Sequence, residues 1–128
     1  MILDSSALVA IALDEPERKG FVAKINAAES VAVNAVSLVE AGIVLSSRIG
    51  EDATEVLGDL LEASDAVVIE FGSAHWREAV SAWWRFGKSR HPASLNFGDC
   101  IVYATARLAD EPLLAKGNEF SSTDIELA

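Results

Sequence analysis

Short apolar runs alternate along the chain with longer segments whose apolar residues recur every three or four positions. The short runs predict β-strands at 1–3, 30–33, 66–69 and 113–115, and a fifth at 125–127. The longer segments predict helices from Ser5 or Ser6 to 13, over 16–28, 38–49, 52–63 and 73–88, and from a cap at Asn96 to 109. Short apolar strands separated by helices are typical of a mainly parallel sheet covered on both faces. The pattern therefore predicts an α/β protein, a three-layer α/β/α sandwich.

Length and composition narrow this picture. The 128 residues suffice for one domain, which we expect to span 1–128, and an apolar content of 51% excludes intrinsic disorder. The single cysteine, Cys100, cannot form an internal disulfide, and we interpret it as a small core residue in a protein of the reducing cytoplasm. No apolar run approaches the ~20 residues of a membrane span, so we expect no membrane association.

The chain is strongly acidic, because twenty Asp and Glu residues against ten Lys and Arg residues give a formal charge of −10. Such a charge argues against a general binder of nucleic acids or membranes, since both are polyanionic. One segment, 75–91, is the exception: it contains four of the ten basic side chains, both histidines and a single acid, Glu78. Its charge is opposite in sign to that of the whole chain.

Five acids follow predicted strands or lie near the start of the helices after them. In parallel α/β sheets, ligands bind beyond the carboxyl ends of the strands, so we expect these acids to converge at one edge. They are Asp4 after the first strand, Glu40 in the first turn of the third helix, Asp99 just behind the cap at Asn96, and Glu119 and Asp124 after the fourth strand.

Each acid also has a structural interpretation. Glu40 would complete a capping box with Ser37, Asp99 would suit the positive end of its helix, and the two loop acids could simply be solvated. Asp4 fits this interpretation least, because an acid directly after a buried strand is desolvated unless a cation or hydrogen bonds meet it. The expected convergence of the five acids favours a shared function.

Clustered carboxylates repel each other, and several remain ionised together only when a cation neutralises them. Oxygen ligands without His or Cys select a hard metal, Mg²⁺ or Mn²⁺. Such an ion polarises phosphoryl oxygens and lowers the pKa of bound water. The predicted site therefore indicates metal-assisted hydrolysis of a phosphodiester or phosphoester.

Four segments, taken in order, carry these acids. Met-Ile-Leu-Asp-Ser-Ser-Ala (1–7) contains Asp4, Val-Ser-Leu-Val-Glu-Ala (36–41) contains Glu40, and Asn-Phe-Gly-Asp-Cys (96–100) contains Asp99. The fourth segment is the tail, 113–125. Together they resemble the motifs of PIN-domain ribonucleases, most closely the VapC-type toxins of bacterial type II toxin–antitoxin systems, over essentially the whole chain. The tail departs from the family at one point, because Glu119 stands where the family usually has Asp, one methylene shorter.

The resemblance implies hydrolysis of single-stranded or loop RNA by a Mg²⁺-activated water, with Mn²⁺ as a substitute, leaving 5′-phosphate and 3′-hydroxyl ends. It implies that Asp4 and Asp99 bind the metal, with Glu40 beside them directly or through water. The implied partners are the RNA substrate, a VapB-like antitoxin that inhibits the toxin, and a second copy of the chain in a homodimer. The implied catalytic set is Asp4, Glu40, Asp99, Glu119 and Asp124, supported by Ser6 and Asn118, with Asn118, Glu119 and Asp124 as rivals for the fourth position.

The predicted helix over 73–88 has two notable stripes. Trp76, Val80, Trp83 and Gly87 follow helical spacing with Trp84 beside them, and we interpret most of these aromatics as a core face. An exposed part could instead contact a second copy or an antitoxin. The second set is basic and either forms a solvated face or binds RNA phosphates; it consists of Arg77, Arg85, Lys88 and Arg90.

Two other function classes stay open at this point. The first is a catalytically impaired PIN-like module that binds RNA or protein, which the Glu119 substitution favours. The second is a phosphoryl-transfer α/β protein, such as a receiver domain or a haloacid-dehalogenase-like phosphatase. These usually carry an acidic pair before the first aspartate or an Asp-x-Asp after the first strand, and 4–6 has neither pattern.

Overall fold

A four-stranded parallel sheet forms the centre of the protein, whose computed structural model describes residues 1–128. The strand order is β3-β2-β1-β4, and Ile2 in β1 lies opposite Ala32 in β2 and Leu113 in β4. The predicted parallel sheet of short strands is confirmed. The strands are β1 (Ile2–Leu3), β2 (Ala32–Asn34), β3 (Val67–Ile69) and β4 (Leu113–Leu114).

Helices cover both faces of the sheet, as the three-layer prediction requires. Neighbouring residues of one strand point to opposite faces, so Leu3 and Leu114 enter the core formed with the first four helices, while Ile2 and Leu113 enter the core formed with the last two. None of the six helices combines the length with the hydrophobicity that a membrane-spanning segment requires. The helices are α1 (Ser5–Ala12), α2 (Arg18–Ala27), α3 (Ala35–Ile49), α4 (Thr54–Ala63), α5 (Ser73–Phe86) and α6 (Phe97–Ala109), and a 3₁₀ turn follows at Glu119–Ser122.

Three predicted element boundaries differ from the structure. The Asp4 side chain caps α1 by accepting the amide of Ser6 at 3.0 Å, so neither Ser5 nor Ser6 is the cap. α2 starts at Arg18, two residues after the predicted Pro16. The predicted fifth strand reduces to a single bridge between residues 127 and 113.

The start of α3 depends on one buried asparagine. Asn34 is fully buried at the end of β2, and its Oδ1 accepts the amide of Val36 at 2.8 Å, so α3 begins at residue 35 and not at 38. Its Nδ2 donates to Thr105 Oγ1 in α6 at 3.0 Å, and that hydroxyl donates to the Ile101 carbonyl at 2.9 Å. This chain of hydrogen bonds ties the start of α3 to α6.

α5 presents a different face to the core from the one predicted. Its buried side chains are Ala79 and Ala82, which pack against α6, whereas Trp76, Trp83 and Trp84 are exposed. Two alanines allow the two helices to approach closely, and bulky indoles on that face would not. The interpretation of the tryptophans as a core face is therefore wrong.

We expect Asn34→Leu to lower the free energy of unfolding by about 2 kcal/mol, because it removes a helix cap and a buried hydrogen bond. Chemical denaturation of Asn34→Leu, Thr105→Val and the double variant measures the effect. The two losses should be less than additive, since either substitution breaks the same bond. Strictly additive losses would show that the two side chains are not coupled.

Candidate functional site

The carboxyl ends of the parallel strands meet at one edge of the sheet, and Asp4 lies there directly after β1. Its side chain is buried, and its Oδ2 accepts hydrogen bonds from the Ser6 amide and hydroxyl. Burial raises the pKa of Asp4 above its usual value, against the opposing effect of the Ser6 hydrogen bonds, and the charge of Glu119 raises it further. Asp4 is thus an oriented carboxylate in an environment that favours a compensating cation.

Ser6 connects Asp4 to the segment that follows β4. Its hydroxyl accepts the backbone amide of Lys116 at 2.9 Å, next to the glycine turn at Gly117. Through this bond the end of β1 and the loop carrying Glu119 are held together. Ser6 therefore contacts both the Asp4 carboxylate and the backbone of Lys116.

Asp99 lies in the first turn of α6 and forms a reciprocal capping box with Asn96. Its Oδ2 accepts the Asn96 amide at 2.8 Å, and Asn96 Oδ1 accepts the Asp99 amide at 2.9 Å. Burial raises the pKa of Asp99 to about 6, and the charges of Asp4, Glu119 and Glu40 add to the rise. Asp99 is therefore a helix cap and also lies within electrostatic range of three other acids.

Glu40 reaches this group from α3. The predicted capping box with Ser37 is wrong, because Asn34 caps α3 and places Glu40 in the second turn. Its carboxylate lies against the backbone of Gly98: a Cβ at that position would be only 2.6 Å from Glu40 Oε2. The glycine that precedes Asp99 thus makes room for the Glu40 carboxylate, a role that its place in the motif could have suggested.

The two loop acids have separate places. Glu119 opens the 3₁₀ turn, with its carboxylate packed against Gly117, and its charge acts on Asp4 and Asp99. Asp124 lies in another cluster, in which its Oδ1 accepts the Tyr103 hydroxyl at 2.6 Å and its Oδ2 pairs with Arg85 at 2.6 Å.

The Tyr103 hydroxyl, with Arg85, holds the pKa of Asp124 below its usual value. The expectation that Asp124 joins the other acids is therefore wrong, since its oxygens already serve to bind the C-terminal segment to α5 and α6. The charge of Arg85 is committed to the same ion pair.

A polar cleft of about 420 Å³ opens in front of Asp99 and Glu119. Asn118 lines it, and its carbonyl accepts the amide and hydroxyl of Ser121. Lys88 lines the same cleft from the loop after α5. The neighbouring Cys100 is buried, and burial raises the pKa of its thiol to about 11, which supports its interpretation as a core residue and not a nucleophile.

The side-chain positions test whether this group fits a metal ion. No three His, Cys, Asp or Glu side chains lie close enough together to bind one ion as they stand. Asp4 and Asp99 each turn one oxygen toward the start of their own helix, while Asp99 Oδ1 accepts no hydrogen bond. The donor set, oxygens alone with concentrated negative charge, fits a hard divalent cation after rotation of these side chains.

Known proteins share both the sequence pattern and the fold. The sequence profile of the PIN domain matches residues 1–126. Ribonuclease VapC36 of Mycobacterium tuberculosis is 41% identical over 127 residues, covering 98% of this chain and 91% of that protein. Among solved structures, M. tuberculosis VapC20, a sarcin-ricin loop cleaving toxin, superposes with a TM-score of 0.77 at 18% identity and covers 99% of this chain and 97% of its own.

A toxin–antitoxin complex from Klebsiella pneumoniae superposes with a TM-score of 0.72 at 16% identity and covers 99% of this chain and 95% of its own. At such identities the two structures support the fold alone. The profile and the curated relative decide the family, and they exclude the receiver-domain and phosphatase alternatives. The chain belongs to the PIN-domain family and, within it, to the VapC-type ribonucleases.

Proposed function

We propose that this protein is a metal-dependent endoribonuclease toxin of the cytoplasm that a cognate antitoxin inhibits. The observation that carries the proposal is the meeting of four acids at the carboxyl edge of the sheet, where burial and the charges of the other three raise the pKa of Asp99. RNA is the proposed substrate because the curated relative VapC36 is named as a ribonuclease. The four acids are Asp4, Glu40, Asp99 and Glu119.

The proposed cofactor is Mg²⁺, with Mn²⁺ as a substitute, held by Asp4, Asp99 and Glu40. When bound, such an ion polarises a phosphoryl oxygen and lowers the pKa of a bound water. Ser6 keeps Asp4 oriented through the hydrogen bonds described above. To Glu40, half-buried against Gly98, we assign the role of orienting or deprotonating the attacking water, and Glu119 is the favoured candidate for the fourth acid.

A second candidate function is a catalytically impaired module that binds RNA or protein. Two observations favour it: Glu119 replaces the usual, shorter acid of the family, and no three acidic side chains converge closely as they stand. Titration with Mg²⁺ or Mn²⁺ against a panel of RNAs separates the two candidates. Metal-dependent cleavage supports the enzyme, and RNA binding without cleavage supports the module.

The antitoxin partner is proposed from a structural neighbour that was solved as a toxin–antitoxin complex. The net charge of −10 is compatible with a partner that contributes basic segments. A short DNA-binding protein encoded beside this one would be the first candidate. Co-purification of the two chains from one expression host would test the pairing.

We also propose a homodimer through an exposed apolar surface beside the acids. Phe97, 77% exposed, lines a groove of about 550 Å³ against α5 and a second hollow of about 290 Å³ against α3, so one continuous surface joins the three helices. A patch of this kind is typical of a protein interface, and a two-fold axis would pair it with itself. The apolar surface consists of Val39, Ile43, Trp76, Val80, Trp83 and Phe97.

We expect Asp4→Asn and Asp99→Asn to fold and to reduce metal-dependent RNA cleavage by at least about a hundredfold. Residues that only support metal ligands contribute up to about a hundredfold, and a ligand itself should contribute no less. Without metal, Asp99→Asn should also raise the melting temperature by about 3 °C, because it removes a carboxylate that burial and three neighbouring acids disfavour. Mg²⁺ should stabilise the wild-type protein and neither variant. Glu55→Gln, an exposed acid on α4, is the matched control. Full cleavage by either variant would contradict the site.

We expect Lys88→Glu and Arg90→Glu to weaken RNA binding and to reduce the slope of log K against log salt by about one each, since each cation is proposed to contact a phosphate. Arg77 is a further candidate, whereas Arg85 is excluded because it pairs with Asp124. Lys19→Glu makes the same charge change on α2 and should leave the slope unchanged. Equal slopes for all variants would remove these residues from the RNA contact.

We expect Ile43→Glu to convert the dimer into a monomer, because it places a charge within the apolar surface. The mass in solution can be measured by light scattering at several concentrations. Leu108→Glu introduces the same charge at an exposed apolar position outside this surface and should leave the dimer intact. A wild-type protein that is monomeric at all concentrations would refute the interface.

A further inference from the structure

Three cations on α5 and in the turn after it have no acidic partner, although the chain has two acids for each base. Five of the ten Lys and Arg side chains form ion pairs with acids. Arg77, Lys88 and Arg90 pair with none, and all three lie within fourteen residues that hold a single acid, Glu78. The other two cations without an acidic partner, Lys19 and Lys24, lie on α2, so this segment holds three of the five.

Arg90 is held against two indole rings. Its guanidinium lies 3.8 Å from the centroid of the Trp84 ring and 5.0 Å from that of Trp83, and its Nε donates to the Trp84 carbonyl at 3.2 Å. A guanidinium stacked in this way keeps donors at its edge for another ligand and loses little conformational freedom on binding. Trp84 itself is 65% exposed although Arg90 covers part of its ring.

This pair stands beside the candidate active site. Lys88 lines the polar cleft in front of Asp99, and the turn after α5, in which the Arg90 amide donates to the Gly87 carbonyl at 3.0 Å, leads from Lys88 to Arg90. Arg90 thus follows the cleft residue Lys88 by two positions in the same turn and carries the stack on Trp84.

We propose that Trp84 and Arg90 form a binding site for one unpaired nucleotide of the RNA, with the base stacked on Trp84 and the phosphate bound by Arg90. The inference rests on the proposed function and adds to it a binding site for one nucleotide outside the group of acids. Exposed aromatic rings combined with cations are the chemistry by which proteins bind unpaired nucleotides. The groove assigned above to the homodimer is lined by Trp83 and Lys88 but not by Trp84, so Trp84 lies outside that proposed interface.

The test compares Trp84→Ala with Trp84→Phe in cleavage of a 12-nucleotide single-stranded RNA by the full-length protein. Trp84→Ala should raise KM by about tenfold with kcat unchanged, and Trp84→Phe should retain most of the affinity, because a smaller ring still stacks. A set of the same RNA, each member lacking one base at a different position, locates the stacked base. For only one member of the set should wild type and Trp84→Ala bind with equal affinity. Arg90→Gln should reduce the salt slope, and Trp84→Ala should not.

The outcomes separate this inference from the proposed function. If wild type cleaves RNA and Trp84→Ala has an unchanged KM, the nucleotide site is wrong and the ribonuclease assignment stands. If wild type cleaves no RNA with any divalent metal, the proposed function fails. The nucleotide site would still be supported if RNA quenches the tryptophan fluorescence of wild type and does not quench that of Trp84→Ala. A Trp84→Ala variant that becomes monomeric would assign this residue to a protein interface and overturn the proposal.

Discussion

Four carboxylates are held at one edge of the sheet against their mutual repulsion, and the rest of the structure is arranged around that constraint. The strands are only two or three residues long, so they cannot fix the acids by themselves. Local contacts do so: Asp4 caps α1, Asp99 completes the capping box of α6 with Asn96, and Glu40 and Glu119 each lie against a glycine. Burial raises the pKa of Asp99, and the charges of the other three acids raise it further.

The connection between the helices that carry these acids is buried and polar. Asn34 ends β2, starts α3 and donates to Thr105 in α6, so a single side chain sets the positions of the helices that carry Glu40 and Asp99. A buried asparagine is tolerated here because each of its polar atoms has a partner. The same geometry that satisfies its hydrogen bonds therefore aligns two members of the candidate site.

The distribution of charge shows why the net charge alone misleads. A charge of −10 argues against an RNA-binding protein only if the charges are evenly spread. Here part of the negative charge is concentrated at the candidate metal site, where a bound cation would neutralise it. Of the cations without an acidic partner, Lys88 lines the cleft itself and Arg90 follows it by two residues. The cations that would attract RNA phosphates and the acids that would repel them thus come from different segments of the chain.

The sequence by itself determined the layers of the fold. The alternation of short strands with helices predicts the parallel sheet, whose coincident carboxyl ends bring Asp4 and the helix that carries Glu40 to one edge. No strand directly precedes α6, so Asp99 reaches the same edge only through the packing of that helix. Only the tertiary structure decided the rest. Helical spacing cannot tell which of two apolar faces of α5 is buried, since that depends on how closely α6 approaches, and Asp124 is drawn away by Tyr103 and Arg85, partners distant in sequence.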